Sequence, residues 1–292
     1  VDSPIGALVT FINKISIAPS MEPAIVFLGT AGDVHTVSKQ MRGSGGIILR
    51  ADDLQFHIDP GPGSLTMAKI WGVNPRETSV VLVSHNHVGH SNDLNACVHA
   101  MTLNGLDTRG VVVAPASVVE GENGQGAALS TYHKKMLEKV IIASPDKRIG
   151  IQEVDIVPLQ TNHPDKLGVG YKIMTTRFVM TYSGDTAFSK ELIEAYQGTD
   201  ILILNSVYPR GCAAETENLT MEDVVKIVEA VKPTLCILTH FSKQMLAADP
   251  LQEARELQIM TGVQVIAARD GQVINPYSYS AESRQRSLKQ FQ

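Results

Sequence analysis

The chain is short of cysteine, of any excess of one charge, and of long apolar runs. Its three cysteines, Cys97, Cys212 and Cys236, form no CxxC pair. Their odd number argues against a disulfide framework and fits a reducing, cytoplasmic setting. The formal net charge is -5, so bulk charge draws the whole chain neither to nucleic acid nor to an anionic membrane. No apolar run approaches the ~20 residues that cross a bilayer. The stretch "IGALVTFI" (5–12) is too short, and no basic segment precedes it, so it does not read as a signal peptide. What remains is 292 residues with 43% hydrophobic and 19% charged side chains. That composition supports a sizeable core and excludes global disorder.

Short β-type runs alternate with amphipathic segments. "AIVFLG" (24–29), "GGIILR" (45–50), "LQFHID" (54–59), "SVVLVS" (79–84) and "GVVVA" (110–114) come first. "VDIVPL" (154–159), "GYKIMT" (170–175), "RFVMTYS" (177–183), "DILILN" (200–205), "TLCILT" (234–239) and "VQVIAA" (263–268) follow. They are rich in Val and Ile, bounded by Gly, Pro, Asp or Asn, and several are apolar throughout, as strands covered on both faces are. Helical spacing places Leu94, Cys97, Val98 and Met101 on one face of 91–103, with Ser91 as its cap. Thr220 and Asp223 resemble a capping box ahead of Val224, Ile227, Val228 and Val231, and Pro233 ends that helix. Further helices are expected over 127–140, 189–197 and 250–261. Two strand-rich halves with helices predict an α/β sandwich of two sheets with helices outside. No linker marks a boundary, so 21–276 reads as one domain, 1–20 as an extension and 277–292 as a polar tail.

Chemistry concentrates where apolar runs end. In "LVSHNHVGHSND" (82–93), His85 and His87 are two apart and share one side of extended chain. His90 follows at a turn and can swing back toward them. His163 in "LQTNHPD", Asp185 in "VMTYSGDT" and His240 in "LCILTHFS" each follow another strand-like run. A fold that gathers strand ends along one edge would bring them together around a zinc or similar ion. Of the remaining histidines, His57, His99 and His133 read as surface or core residues. His35 follows the first strand and stands within reach of a pocket rim.

The ordered set "FLGTAG", "HIDPGPGS", "SHNHVGH", "TNHPD", "YSGDT" and "LTHFS" resembles the metallo-β-lactamase superfamily, in particular its ribonuclease Z-like and phosphodiesterase branch. The resemblance runs from about Ile25 to Ile274. It implies an αββα four-layer sandwich of two mixed β-sheets with one or two divalent metals at one edge. Zinc is the ion it implies first, with manganese or iron as alternatives. His85, His87 and His163 would hold the first ion, and His90 and His240 the second, with Asp185 bridging. Asp59 would position the ligand loop from behind.

Two positions depart from that pattern. The family motif is His-x-His-x-Asp-His, and Gly89 replaces its aspartate. The second position therefore keeps only His90, Asp185 and His240. Asp93 offers a compensating carboxylate by a different loop path. In "ENLTMEDVV", Asn218 stands where ribonuclease Z-like members often carry histidine; an amide donates a hydrogen bond but cannot deliver a proton near neutral pH. The expected activity is metal-dependent hydrolysis of a phosphodiester, with Asp185, His240 and Asn218 as the catalytic side chains. A weakened metal-binding protein for a nucleotide-like ligand, and a lactone or thioester hydrolase, are the alternatives. The expected partners are a small-molecule or nucleotide substrate and, in a homodimer, a second copy, but not a membrane. A long nucleic acid stays open: the chain has neither a long inserted arm nor an Arg/Lys cluster to replace one. Lys134, Lys135 and Lys139 read as one solvated helix face.

Overall fold

The computed structural model describes residues 21–122, 124–145, 147–212 and 217–280. The extension at 1–20 and the tail beyond 280 lie outside the described residues. Strands β1 (Ala24–Gly29), β2 (Ser44–Ala51), β3 (Leu54–Ile58), β4 (Thr78–Leu82), β5 (Val111–Ala114) and β6 (Lys139–Ile142) lie side by side in that order. The pairs β1–β2 and β2–β3 are antiparallel; β3 through β6 run parallel. The second sheet repeats this plan. β7 (Ile149–Ile151), β8 (Val154–Gln160), β9 (Val169–Met174) and β10 (Val179–Tyr182) are antiparallel neighbours. β11 (Ile201–Tyr208), β13 (Leu235–Thr239) and β14 (Gln264–Ala267) then join in parallel, and β12 (Leu219–Thr220) pairs with the far end of β11. The last strand, β15 (Val273–Ile274), returns to the first sheet beside β1.

Alternation along each strand builds the four layers. Ile25, Phe27, Leu49 and Leu82 of the first sheet meet Tyr171, Ile173, Ile203 and Ile237 of the second in a buried core between the sheets. The intervening residues face outward. Val81, Val83 and Val112 pack on Leu94, Val98 and Met101. Leu202, Leu204, Cys236 and Leu238 pack on Val224, Ile227, Val228 and Leu257. Each such Leu or Ile contributes about 1.5–3 kcal/mol by leaving water, which is why the strands carry apolar residues at both parities. The expected αββα sandwich is therefore the observed one. The helix Met221–Val231 starts on a true capping box between Thr220 and Asp223 and ends at Lys232, whose φ is 50°. Helices Lys190–Tyr196 and Pro250–Thr261 also form where expected.

Three local expectations need correction. The segment 127–140 is not one helix. Only Thr131–Lys134 is helical, and Lys139–Ile142 is edge strand β6. The β-branched run Val140–Ile142 gains more by pairing with β5 than by continuing a helix, so Lys134 and Lys139 share no helix face. Ser91 does not cap the helix Leu94–Thr102. It belongs to the preceding turn Val88–Ser91, where its hydroxyl bonds the carbonyl of His87 at 3.0 Å. Finally, the polar tail begins later than expected. Tyr277 and Tyr279 pack on the inter-sheet core, and Tyr277 also receives the Arg177 guanidinium over its ring at 4.7 Å.

Candidate metal centre

Strand direction gathers the candidate side chains. β3, β4, β10 and β13 run parallel to a sheet neighbour, and β8 shares the direction of β10 through two antiparallel steps. The residues just past their carboxyl ends are Asp59, His85, His163, Asp185 and His240, and such an edge is where α/β sheets place ligands.

At that edge His85 Nε2 lies 2.9 Å from His87 Nδ1, and His163 Nε2 lies 3.3 Å from the same atom. Beside them His90 Nε2 is 3.3 Å from Asp185 Oδ2, His85 Nε2 is 3.9 Å from it, and His240 Nε2 is 3.2 Å from Asp185 Oδ1. The residues form two overlapping groups of ligand atoms, His85–His87–His163 and His85–His90–Asp185. His240 joins through Asp185. All are buried except His87, whose ring meets solvent and leaves a path for a substrate.

The arrangement fits a divalent ion. Nitrogens bound to one tetrahedral zinc at ~2.0–2.1 Å stand ~3.3 Å apart, close to the separations present. In three of the rings the far nitrogen has an outer partner that fixes how the near one is presented. Ser84 Oγ donates to Asp59 Oδ2 at 2.7 Å, so it accepts from His85 Nδ1 at 2.9 Å. His90 Nδ1 faces Asp59 Oδ2 at 2.8 Å, and His163 Nδ1 faces the Glu217 carbonyl at 3.1 Å. These outer partners set the tautomer that a metal requires. His240 Nε2 is buried with no hydrogen bond. Burial, helped by neighbouring imidazoles, holds His85 well below its ordinary range, and His87 is lowered for the same reasons; both shifts favour the neutral imidazole, the form that can bind a metal. Burial also opposes charge on His90, but Asp185 and Asp59 outweigh it and raise His90 to about 10. Burial alone would raise Asp185, yet His240 and His90 hold it well below the usual carboxylate range.

Asp59 anchors this centre. It accepts from Ser84 N–H at 2.6 Å and from Tyr182 hydroxyl at 2.7 Å, in addition to Ser84 Oγ and His90. His240 has a φ of 63°, a conformation costly for a residue with a Cβ. It persists because the next residue, Phe241, is held on both sides, its N–H bonding Thr30 and its carbonyl accepting from Gly32. A side chain at Gly32 would strike the His240 carbonyl at 1.9 Å, so glycine there is what lets the loop pass. Gly89 is different: a Cβ would meet only Val37 Cγ2, at 4.0 Å. Beside it lies a recess bordered by His90, Asn205, Thr239 and His240.

Asp93 is not a ligand: its carboxylate accepts from Gly63 and Ser64 N–H, both at 2.9 Å, and so caps the helix Ser64–Ile70. Asn218 follows Glu217, the His163 partner, and its Oδ1 is buried without a hydrogen bond. His57 is buried against the Gly45 carbonyl at 2.7 Å. His35 and His99 are exposed and His133 half-exposed on short helical segments. The sequence reading missed Asn205, whose Nδ2 donates to Asp185 Oδ1 at 2.7 Å and to Tyr182 hydroxyl at 3.1 Å. A polar residue ending the otherwise apolar run of β11 was the available signal.

A family model described as "Beta-lactamase superfamily domain" matches residues 55–241, more than half of the chain. The chain belongs to the metallo-β-lactamase superfamily. Members of that superfamily are metal-dependent hydrolases. The uncharacterized protein MJ1374 of Methanocaldococcus jannaschii is 31% identical over 253 residues, 86% of this chain and 94% of that protein. A ribonuclease Z of Methanosarcina mazei is 23% identical over 272 residues, 75% of this chain and 88% of that one. Among solved structures, the metallo-β-lactamase fold protein YhfI of Bacillus subtilis aligns with a TM-score of 0.70 at 16% identity, covering 87% of this chain and 99% of that one. Among the described residues, no helix is long and apolar enough to cross a membrane.

Proposed function

We propose that this superfamily member hydrolyses a phosphodiester, nucleotide or RNA-like, with zinc as its metal. The observation that carries this reading is the convergence of His85, His87 and His163 on one point, with Asp185 between that point and the pair His90 and His240. The likeness to a ribonuclease Z supports the phosphodiester. His85, His87 and His163 would hold the first ion; His90, Asp185 and His240 would hold a second. A bound divalent ion lowers the pKa of a bound water and polarises a phosphoryl oxygen. The nitrogen-rich first set suits zinc.

The chain's own groups have separable roles. Asp185 is held too acidic to be a strong base, so it contributes charge and orientation. Asn205 fixes the direction of its carboxylate from behind. Asn218, beside the His163 loop, can donate a hydrogen bond to a leaving oxygen but cannot protonate it. Without a carboxylate at position 89, the general base that commonly adds ~10²–10⁴-fold is missing, so slow turnover is expected. The free cysteines fit a cytoplasmic location.

The same two residues, Gly89 and Asn218, favour a second reading, a metal-bound binder of a nucleotide-like ligand. Assays of metal-reconstituted protein on bis(p-nitrophenyl) phosphate and cyclic nucleotides separate the two. Metal-dependent turnover, lost in His87→Ala and Asp185→Asn, is the expected result. Tight nucleotide binding without turnover supports the second reading. Cleavage of a lactone or thioester, with phosphodiesters untouched, overturns the phosphodiester assignment.

A further inference from the structure

Asp165 follows His163 in the loop after β8, yet its carboxylate serves the other ligand loop. Oδ2 accepts from the backbone N–H of Asn86 at 2.9 Å and from Ser117 Oγ at 2.7 Å, while Oδ1 accepts from Leu167 N–H at 3.0 Å. Asn86 is the residue between His85 and His87, and it is buried. Its carbonyl accepts from Gln125 Nε2 at 2.6 Å, and its Nδ2 donates to the carbonyls of Ser117 at 2.8 Å and Gly126 at 3.1 Å. Both backbone polar groups between the two ligands are thus fixed from outside. One is held by the loop that brings His163, the other by Gln125, and Ser117, in the helical turn Ala116–Val119, bonds both Asp165 and Asn86. A buried N–H must be paired, and a carboxylate gives it a stronger bond than a neutral acceptor.

We propose that Asp165 is a positioning residue for the first metal position. It ties the His85–His87 turn to the His163 loop and so preserves the spacing of the three imidazoles. It acts through Asn86 and Ser117 and would not touch the ion. This inference rests on reading those histidines as metal ligands, and not on the phosphodiester substrate.

The test is zinc affinity of the full-length apo-protein, measured by competition with a chromophoric chelator, alongside the cobalt(II) absorption spectrum at one equivalent and the apo-protein Tm. Asp165→Ala is expected to weaken the first equivalent of zinc about 10–100-fold, the usual effect of losing an outer partner, and to change the cobalt spectrum. Asp165→Asn keeps an acceptor for Asn86 and should show a smaller, severalfold loss. Gln125→Ala leaves the Asp165 bonds in place and should lose less than Asp165→Ala. Wild-type zinc affinity in Asp165→Ala, or a fall in apo-protein Tm with no change in affinity, overturns the proposal. If the alanine variant does not fold, wild-type affinity in Asp165→Asn overturns it. A wild-type protein that binds no zinc overturns the ligand reading itself, and this inference with it.

Discussion

Gly89 stands where the superfamily motif carries aspartate, and the space beside it is open. Its φ is not in the left-handed region, and a Cβ there would reach only Val37, so Gly89→Asp should fold without strain. We expect it to raise bound metal toward two equivalents and to increase hydrolysis of bis(p-nitrophenyl) phosphate, read by elemental analysis and initial rates. No gain in either would mean that the missing carboxylate is not what limits the second position. Asp59 offers the opposite case. Its removal would strand the buried Ser84 N–H, Tyr182 hydroxyl and His90 Nδ1 together. Each stranded group costs about 1–3 kcal/mol, so Asp59→Ala should lower stability by at least about 3 kcal/mol in urea unfolding. A loss below about 1 kcal/mol would show that water replaces those bonds. The candidate ligands stand out in the sequence as titratable side chains just past apolar runs, three of them after β4 alone. Asn205, Ser84 and Asp165 do not, because their roles are set by neighbours 20 to 79 positions away.

At the scale of elements, the site depends on turns leaving strands rather than on any one helix. The helices Leu94–Thr102 and Ser64–Ile70 meet through Asp93, which precedes the first and commits its carboxylate to two N–H groups at the start of the second. Asp93→Ala should therefore cost about 1–2 kcal/mol, as a lost helix cap does, and leave metal stoichiometry unchanged. A drop in bound metal with unchanged Tm would instead make Asp93 a ligand. Strands with β-branched residues at both parities, and the helix 221–231 with its stripe and capping box, were legible because local pattern and tertiary burial agree. The segment 127–140 was not. Its buried Leu129, Met136 and Leu137 stand at i, i+7 and i+8, a spacing that reads as helical, and the edge pairing that makes β6 depends on β5, which local sequence does not show.

Over the whole molecule, two similarly wound sheets bring ligands from both halves of the chain to one edge. His85, His87 and His90 come from the first, His163, Asp185 and His240 from the second. Neither half holds the complete set, so a bound metal would act as a bond between sheets, and metal-loaded protein should unfold at higher temperature than apo-protein by an amount that grows with free metal. An equal Tm at all zinc concentrations would deny that coupling. Whether these side chains hold a cation is read most directly from metal content, by elemental analysis after zinc reconstitution and desalting. At least one zinc per chain is expected in the wild type, with loss of that equivalent in His87→Ala. A wild-type protein that retains no zinc, or a His87→Ala variant that retains as much as the wild type, would contradict that expectation.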